Sequence, residues 1–245
     1  MKDEPSPVGG VRPPSKWHAW GNALAITLLG LLVGGLGCFF LLGNYLLREI
    51  AAERLDLLHA GIWWEIGFTV GMVVILFILI PWQRARGTTL ADVGWGRPTT
   101  PLALVLAVLL GTAFLCGSYF GARRLLPGVD VMEMSWVRLV LAPLGILLAA
   151  AEETMMRGFF MTGLQRARVS TWMQIVASGT CSASYHALQN PTLMGFVPSF
   201  VLFSMHAGLY VLGKRSLTPV VLTHSIYHVL GEPYLLMMAL VAMKH

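Results

Sequence analysis

Two adjacent acids and an arginine, Glu152, Glu153 and Arg157, stand in "AAAEETMMRGFF" at the end of a long apolar run, where unpaired charge is unfavourable. Spacing separates the two acids. Glu153 and Arg157 are four residues apart, so on a helix they share a face and can neutralise each other. Glu152 is turned about 100° from Glu153, and the residue four beyond it, Met156, offers no charge. Glu152 is the carboxylate without a local partner, available for general acid or base work; the alternative is that both acids bond Arg157 and nearby backbone. Histidines follow further along. His224 and His228 are also four apart and point one way. Such a pair can bind metal, donate hydrogen bonds to an oxyanion, or bond across helices. His186, in "SASYHALQNP", gains weight only from polar groups on other segments. His206, in "FSMHAGLY", reads as a packing residue, and Glu65 as an interfacial acid near the end of its segment.

Familiar hydrolytic signatures are missing. The sequence holds no HExxH, no GxSxG, no GxSG and no GxGD. Cys181 and His186 are five apart and diverge on a helix, so Cys181 reads as a buried structural thiol rather than a nucleophile. What remains is a glutamate with histidines spread over three segments, a set that suits activation of water. A transporter with a proton relay would often carry an inverted repeat, and the sequence shows no internal repeat.

The elements that must hold these residues are membrane helices. The chain is 56% hydrophobic and 12% charged, against about 25% charged for soluble domains, and its mean hydropathy is strongly positive. Apolar stretches of about 20 residues predict spans. We expect an all-α, polytopic transmembrane bundle of about seven to eight helices, at 22–47, 62–82, 101–121, 136–158, 172–189, 192–213, 217–231 and 233–243, the last spanning or interfacial. Residues 1–21, rich in Pro and Gly, read as a disordered cytoplasmic tail, 22–130 as N-terminal transmembrane helices and 131–245 as the catalytic core. Lys2, Arg12, Lys16, Arg84, Arg86, Arg97, Arg166, Arg168, Lys214 and Arg215 fall on one side of this arrangement. Arg48, Arg54, Arg123, Arg124 and Arg138 fall on the other, which favours a cytoplasmic N-terminus. The net charge of +5 then reflects topology, not nucleic-acid binding. Cys38, Cys116 and Cys181 all lie in apolar spans and read as buried thiols without a disulfide framework.

The order EExxxR, a histidine on the next span and an HxxxN-like motif on a later one resembles the CPBP family of intramembrane proteases, which includes CAAX-processing prenyl endopeptidases and bacteriocin-processing or immunity proteins of the Abi group. The matching stretches are "EETMMR" (152–157), "SASYH" (182–186) and "LTPVVLTHSIYH" (217–228), and the resemblance covers roughly residues 140 to 231. "RGTTLADVGWGRP" (86–98) is similar to the family's basic link before its core. The resemblance implies a glutamic-type intramembrane endopeptidase. Glu152 would activate water, His186 would help hold it, and His224 would stabilise the oxyanion. Glu153 and Arg157 would support the site. Ser182 stands where the family's second motif has Phe, so an aromatic wall is missing or supplied from elsewhere. His228 stands where the third motif usually has Asn; its imidazole can donate to an oxyanion or complete a metal site. The expected enzyme uses no cofactor. If a metal such as zinc is bound, the ligand set implied is Glu152, His186, His224 and His228. The expected partners are the lipid bilayer and a membrane-associated peptide or protein terminus, in the plasma (inner) membrane. A non-catalytic scaffold or immunity protein using the same polar cluster is the alternative.

Overall fold

Polar residues just ahead of apolar runs set the helix starts. The computed structural model describes residues 15–130, 135–188 and 193–243. Ser15 accepts a hydrogen bond from the His18 amide (3.3 Å) and opens α1 (Lys16–Ala51). Asp56 accepts from the His59 amide (2.9 Å) and opens α2 (Leu57–Arg84). Thr100 accepts from the Ala103 amide (3.2 Å) and, with Pro101 in the first turn, opens α3 (Pro101–Leu125). Then come α4 (Trp136–Arg166), α5 (Thr171–His186), α6 (Leu193–Leu212), α7 (Thr218–Gly231) and α8 (Tyr234–Met243). Among the described residues the chain is all-helical, in eight helices, as expected.

Some boundaries move. The Ser15 cap starts α1 at Lys16, ahead of residue 22; the first 14 residues of the expected tail lie outside the described residues. With 10 residues α8 rises about 15 Å, half of a bilayer core about 30 Å thick, and it packs on α2 and α3. α1 to α4 are each long and apolar enough to cross a membrane. Their outer surfaces are apolar, with Leu32, Phe77, Leu109 and Leu139 exposed, while Glu152, Glu153, Arg157 and His206 are buried. That inversion suits a lipid solvent, which rewards apolar contact outside and demands paired polar groups inside. Cys38 and Cys181 are buried as expected, but Cys116 is exposed because it lies on the outward face of α3.

Within α4 the winding widens to a π-helix over Thr154–Met161, directly after the two glutamates. π-turns leave the regular hydrogen-bond ladder. Here Ser178 Oγ on α5 donates to the Met156 carbonyl (3.3 Å), and Trp95 Nε1 donates to Thr154 Oγ1 (3.0 Å). Trp95 belongs to the 85–100 loop, which is pinned at several further points. Tyr210 donates to the Val93 carbonyl (3.0 Å), the Leu217 amide to the Gly94 carbonyl (3.2 Å), and Ser216 to the Arg97 carbonyl (2.9 Å). Gly94 is at φ +109°, a conformation side-chain-bearing residues rarely adopt, and its carbonyl is presented to the start of α7. The loop thereby fixes the π-turn of α4 against the first turn of α7.

α7 lies between α3 and α4, and glycines permit the approach. A Cβ on Gly111 would fall 2.9 Å from the Thr223 carbonyl, and one on Gly145 would fall 2.8 Å from His228 Cβ. Gly117, on the same helix as Gly111, has nothing within 4 Å of such a Cβ. We expect Gly111→Leu to destabilise the protein by about 1–3 kcal/mol through overpacking, with Gly117→Leu near neutral. Thermal unfolding of the detergent-solubilised proteins checks this; equal melting temperatures for the two variants would refute the close-packing role of Gly111.

Candidate active site

A fully buried carboxylate needs compensation from donors that its own helix cannot supply alone. Glu153, at 0% exposure, draws on three helices. Arg157 Nε lies 3.1 Å from its Oε2, one turn along α4. His206 Nδ1 from α6 lies 2.9 Å from its Oε1, and His224 Nδ1 from α7 lies 2.8 Å from the same oxygen. The pairing read from the i, i+4 spacing is present, and two histidines join it. Arg157 is also fully buried. It donates to the Phe203 carbonyl (2.9 Å) and Ser182 Oγ (3.4 Å), and its guanidinium faces the Phe203 ring at 5.3 Å.

Glu152, also at 0% exposure, points elsewhere. Its Oε1 accepts a hydrogen bond from Tyr185 and lies 3.2 Å from His186 Nε2, both on α5. Its Oε2 makes no hydrogen bond and lies 3.8 Å from His224 Nε2. His228 reaches this group through His224, their Nε2 atoms being 3.1 Å apart. Glu152, His186 and His224 are thus brought together directly, and His228 extends the chain by one contact. His186 sits among rings, with centroids 4.6 Å from Phe203, 5.0 Å from Phe39 and 6.1 Å from Phe68. The aromatic wall that Ser182 does not provide comes from α1, α2 and α6, and the space at Ser182 is used by Arg157. A cavity of about 190 Å³, bounded by His186, His224, His228 and Phe203, adjoins the group. At about 30 Å³ per liquid water, it has room for a water and a peptide carbonyl.

Four residues have contacts that spacing did not reveal. Tyr185 lay inside the "SASYH" motif, but a tyrosine beside a histidine says nothing of its acceptor. Glu65 is not interfacial. It is completely buried, because α2 turns it inward against α7, and its neighbours are His228 and Glu232. Glu232, just past α7, lies 3.4 Å from His228 Nδ1. His206, read as a packing residue, packs by bonding Glu153. Metal-ligating atoms converge in two groups among the described residues: Glu153, His206 and His224, and Glu65, His228 and Glu232. Neither is the set Glu152, His186, His224 and His228. In the first group the Arg157 guanidinium already neutralises Glu153, which leaves little electrostatic call for a second cation.

Residues 134–230 match the model of a family described as Type II CAAX prenyl endopeptidase Rce1-like. That stretch of the chain is similar to this CAAX-protease family, and the protein is an integral membrane protein. No curated protein and no solved structure matches it.

Arg157→Ala removes the permanent cation of the Glu153 group and weakens the compensation of a buried anion, a change worth about 3–5 kcal/mol. We expect a sharp fall in folded, monodisperse protein on size-exclusion chromatography. A normal yield would show that His206 and His224 alone suffice to neutralise Glu153.

Proposed function

We propose that the chain is a CAAX-protease relative, an intramembrane endopeptidase in which Glu152 activates water directly. The observation that carries the reading is the asymmetry of one carboxylate. Tyr185 and His186 hold Oε1, while Oε2 is left without a hydrogen bond, 3.8 Å from Nε2 of the cavity-lining His224. A base needs a free lone pair in a fixed place, and Oε2 supplies one.

In the proposed reaction Glu152, with His186 orienting the water, takes one of its protons. The resulting hydroxide attacks the peptide carbonyl carbon. Negative charge moves to the carbonyl oxygen, which faces His224 and His228. His228 provides an N–H, and His224 adds positive charge as it shares the proton that Glu152 has taken across their 3.8 Å separation. The tetrahedral intermediate then collapses. Its C–N bond breaks, the proton passes to the departing amine, and Glu152 returns to the carboxylate. Burial strengthens each of these electrostatic interactions. Substrates would be peptides or protein termini held at the membrane, with the aromatic residues around His186 forming the apolar wall of the cleft. The proposed location is the plasma (inner) membrane, and the Lys and Arg asymmetry of the loops supports a cytoplasmic N-terminus.

Glu152→Gln is expected to lower cleavage by about 10³-fold or more, and His186→Ala and His224→Ala to do the same, while each protein accumulates normally in membranes. The readout is mass spectrometry of membrane-protein termini in cells carrying the normal or the Glu152→Gln protein. Unchanged termini would overturn the enzyme reading, and a biological effect that survives in all three variants would favour a binding or immunity role. Tyr185→Phe removes a hydrogen bond to a charged group, worth about 1.5–3 kcal/mol, so turnover should fall about 10- to 100-fold with the protein still folded.

A further inference from the structure

His228 faces two ways, and its two nitrogens have different surroundings. Its Nε2 is 3.1 Å from His224 Nε2, so one of the two must donate. His224 gives its Nδ1–H to the Glu153 carboxylate at 2.8 Å. A neutral His224 therefore has a bare Nε2, and the shared hydrogen belongs to His228 Nε2. A neutral His228 then has a bare lone pair at Nδ1. That atom is buried and makes no hydrogen bond. It points at Glu232 Oε1, 3.4 Å away. Glu65 completes the group, with the three ligand atoms all within 4.8 Å of one another. Both Glu65 oxygens are buried and without a hydrogen bond. Glu232 Oε2 accepts from the Leu236 amide (3.2 Å), which leaves Oε1 for the cluster. One lone pair and two carboxyl groups thus converge, and the two acids repel each other when both are ionised unless a proton or a cation is shared among them.

We propose that Glu65, His228 Nδ1 and Glu232 bind a divalent metal ion of the zinc class, separate from the Glu152 group. Two carboxylates and an imidazole are donors suited to such an ion. The 3.4 Å between Nδ1 and Oε1 is long for a hydrogen bond. It equals the edge of a tetrahedron with bonds of about 2.0–2.1 Å, which is about 3.4 Å. A proton links only two of the three donors; a metal ion accepts all three. His228 and Glu232 also line the cavity, so a fourth position is open to water or substrate. The ion would act on the reaction as a positioning device. Metal at Nδ1 compels Nε2 to carry the hydrogen, giving His228 the permanent N–H that an amide side chain offers at the same motif position. That consequence rests on the endopeptidase reading above; the binding itself does not.

The test is metal binding by the full-length protein in detergent, stripped with chelator, incubated with zinc chloride, desalted and analysed by plasma mass spectrometry. The expected result is one zinc per chain. Glu65→Gln and Glu232→Gln should weaken binding by at least about 100-fold, and Glu152→Gln and His206→Ala should leave it unchanged. Because Glu65→Gln changes a buried group, the wild type is also loaded with Co²⁺, where the intense visible bands of a four-coordinate site are expected. No zinc retained by the wild type, or octahedral cobalt only, would overturn the proposal. So would zinc lost in Glu152→Gln or His206→Ala but kept in both Glu65→Gln and Glu232→Gln, which would put the ion in the catalytic group. Stoichiometric zinc in a protein that cleaves nothing would refute the endopeptidase reading and leave the metal site standing.

Discussion

The Glu153 carboxylate is the constraint around which the bundle is arranged. Fully buried, it must be matched by donors, which Arg157 supplies from its own helix α4 and His206 and His224 from α6 and α7. Each donor then has its remaining polar atoms oriented. Arg157 is tied to Ser182 and Phe203. His224 has its second nitrogen directed toward Glu152 and His228. One anion therefore determines both how three helices dock and which way His224 Nε2 points. In a low-dielectric interior the misplacement of any member leaves an unpaired charge, so the same interaction that holds the fold also orients the chemistry.

Spacing within one helix was legible from the residues, and contacts between helices were not. The four-residue step from Glu153 to Arg157 led directly to their ion pair, and the offset of Glu152 showed that it must look elsewhere. The histidine pair 224/228 did share a face. Yet the partner that Glu152 found, Tyr185, depends on how α5 lies against α4, and no periodicity encodes that. Glu65 was misread for a related reason. A lone acid in "WWEIGF" resembles an interfacial residue until α2 is seen to turn it against Glu232, a residue 167 positions later in the chain. The bundle class was readable because lipid imposes the same demand on every span, whereas docking reflects particular pairs of surfaces such as Gly111 on Thr223.

Replacement of a motif aromatic by Ser182 illustrates compensation by volume. A phenyl ring at that position would compete with the Arg157 guanidinium that now contacts Ser182 Oγ. Rings from three other helices close around His186 instead. The imidazole keeps an apolar enclosure although the residue that usually helps to build it is absent, so the physical requirement is a dry wall and not a particular position in the chain.

The shortness of α7 has a bearing on how water reaches this interior. Its 14 residues rise only about 21 Å, and α5, with 16 residues, rises about 24 Å, against a hydrocarbon layer about 30 Å deep. Segments this short end within that layer unless the bilayer thins around the bundle to meet them. Such thinning would draw the aqueous boundary inward toward His186, His224 and His228. A hydrolytic centre inside a membrane has to be supplied with its second reactant, and a local dimple in the bilayer shortens that supply route without any channel through the protein.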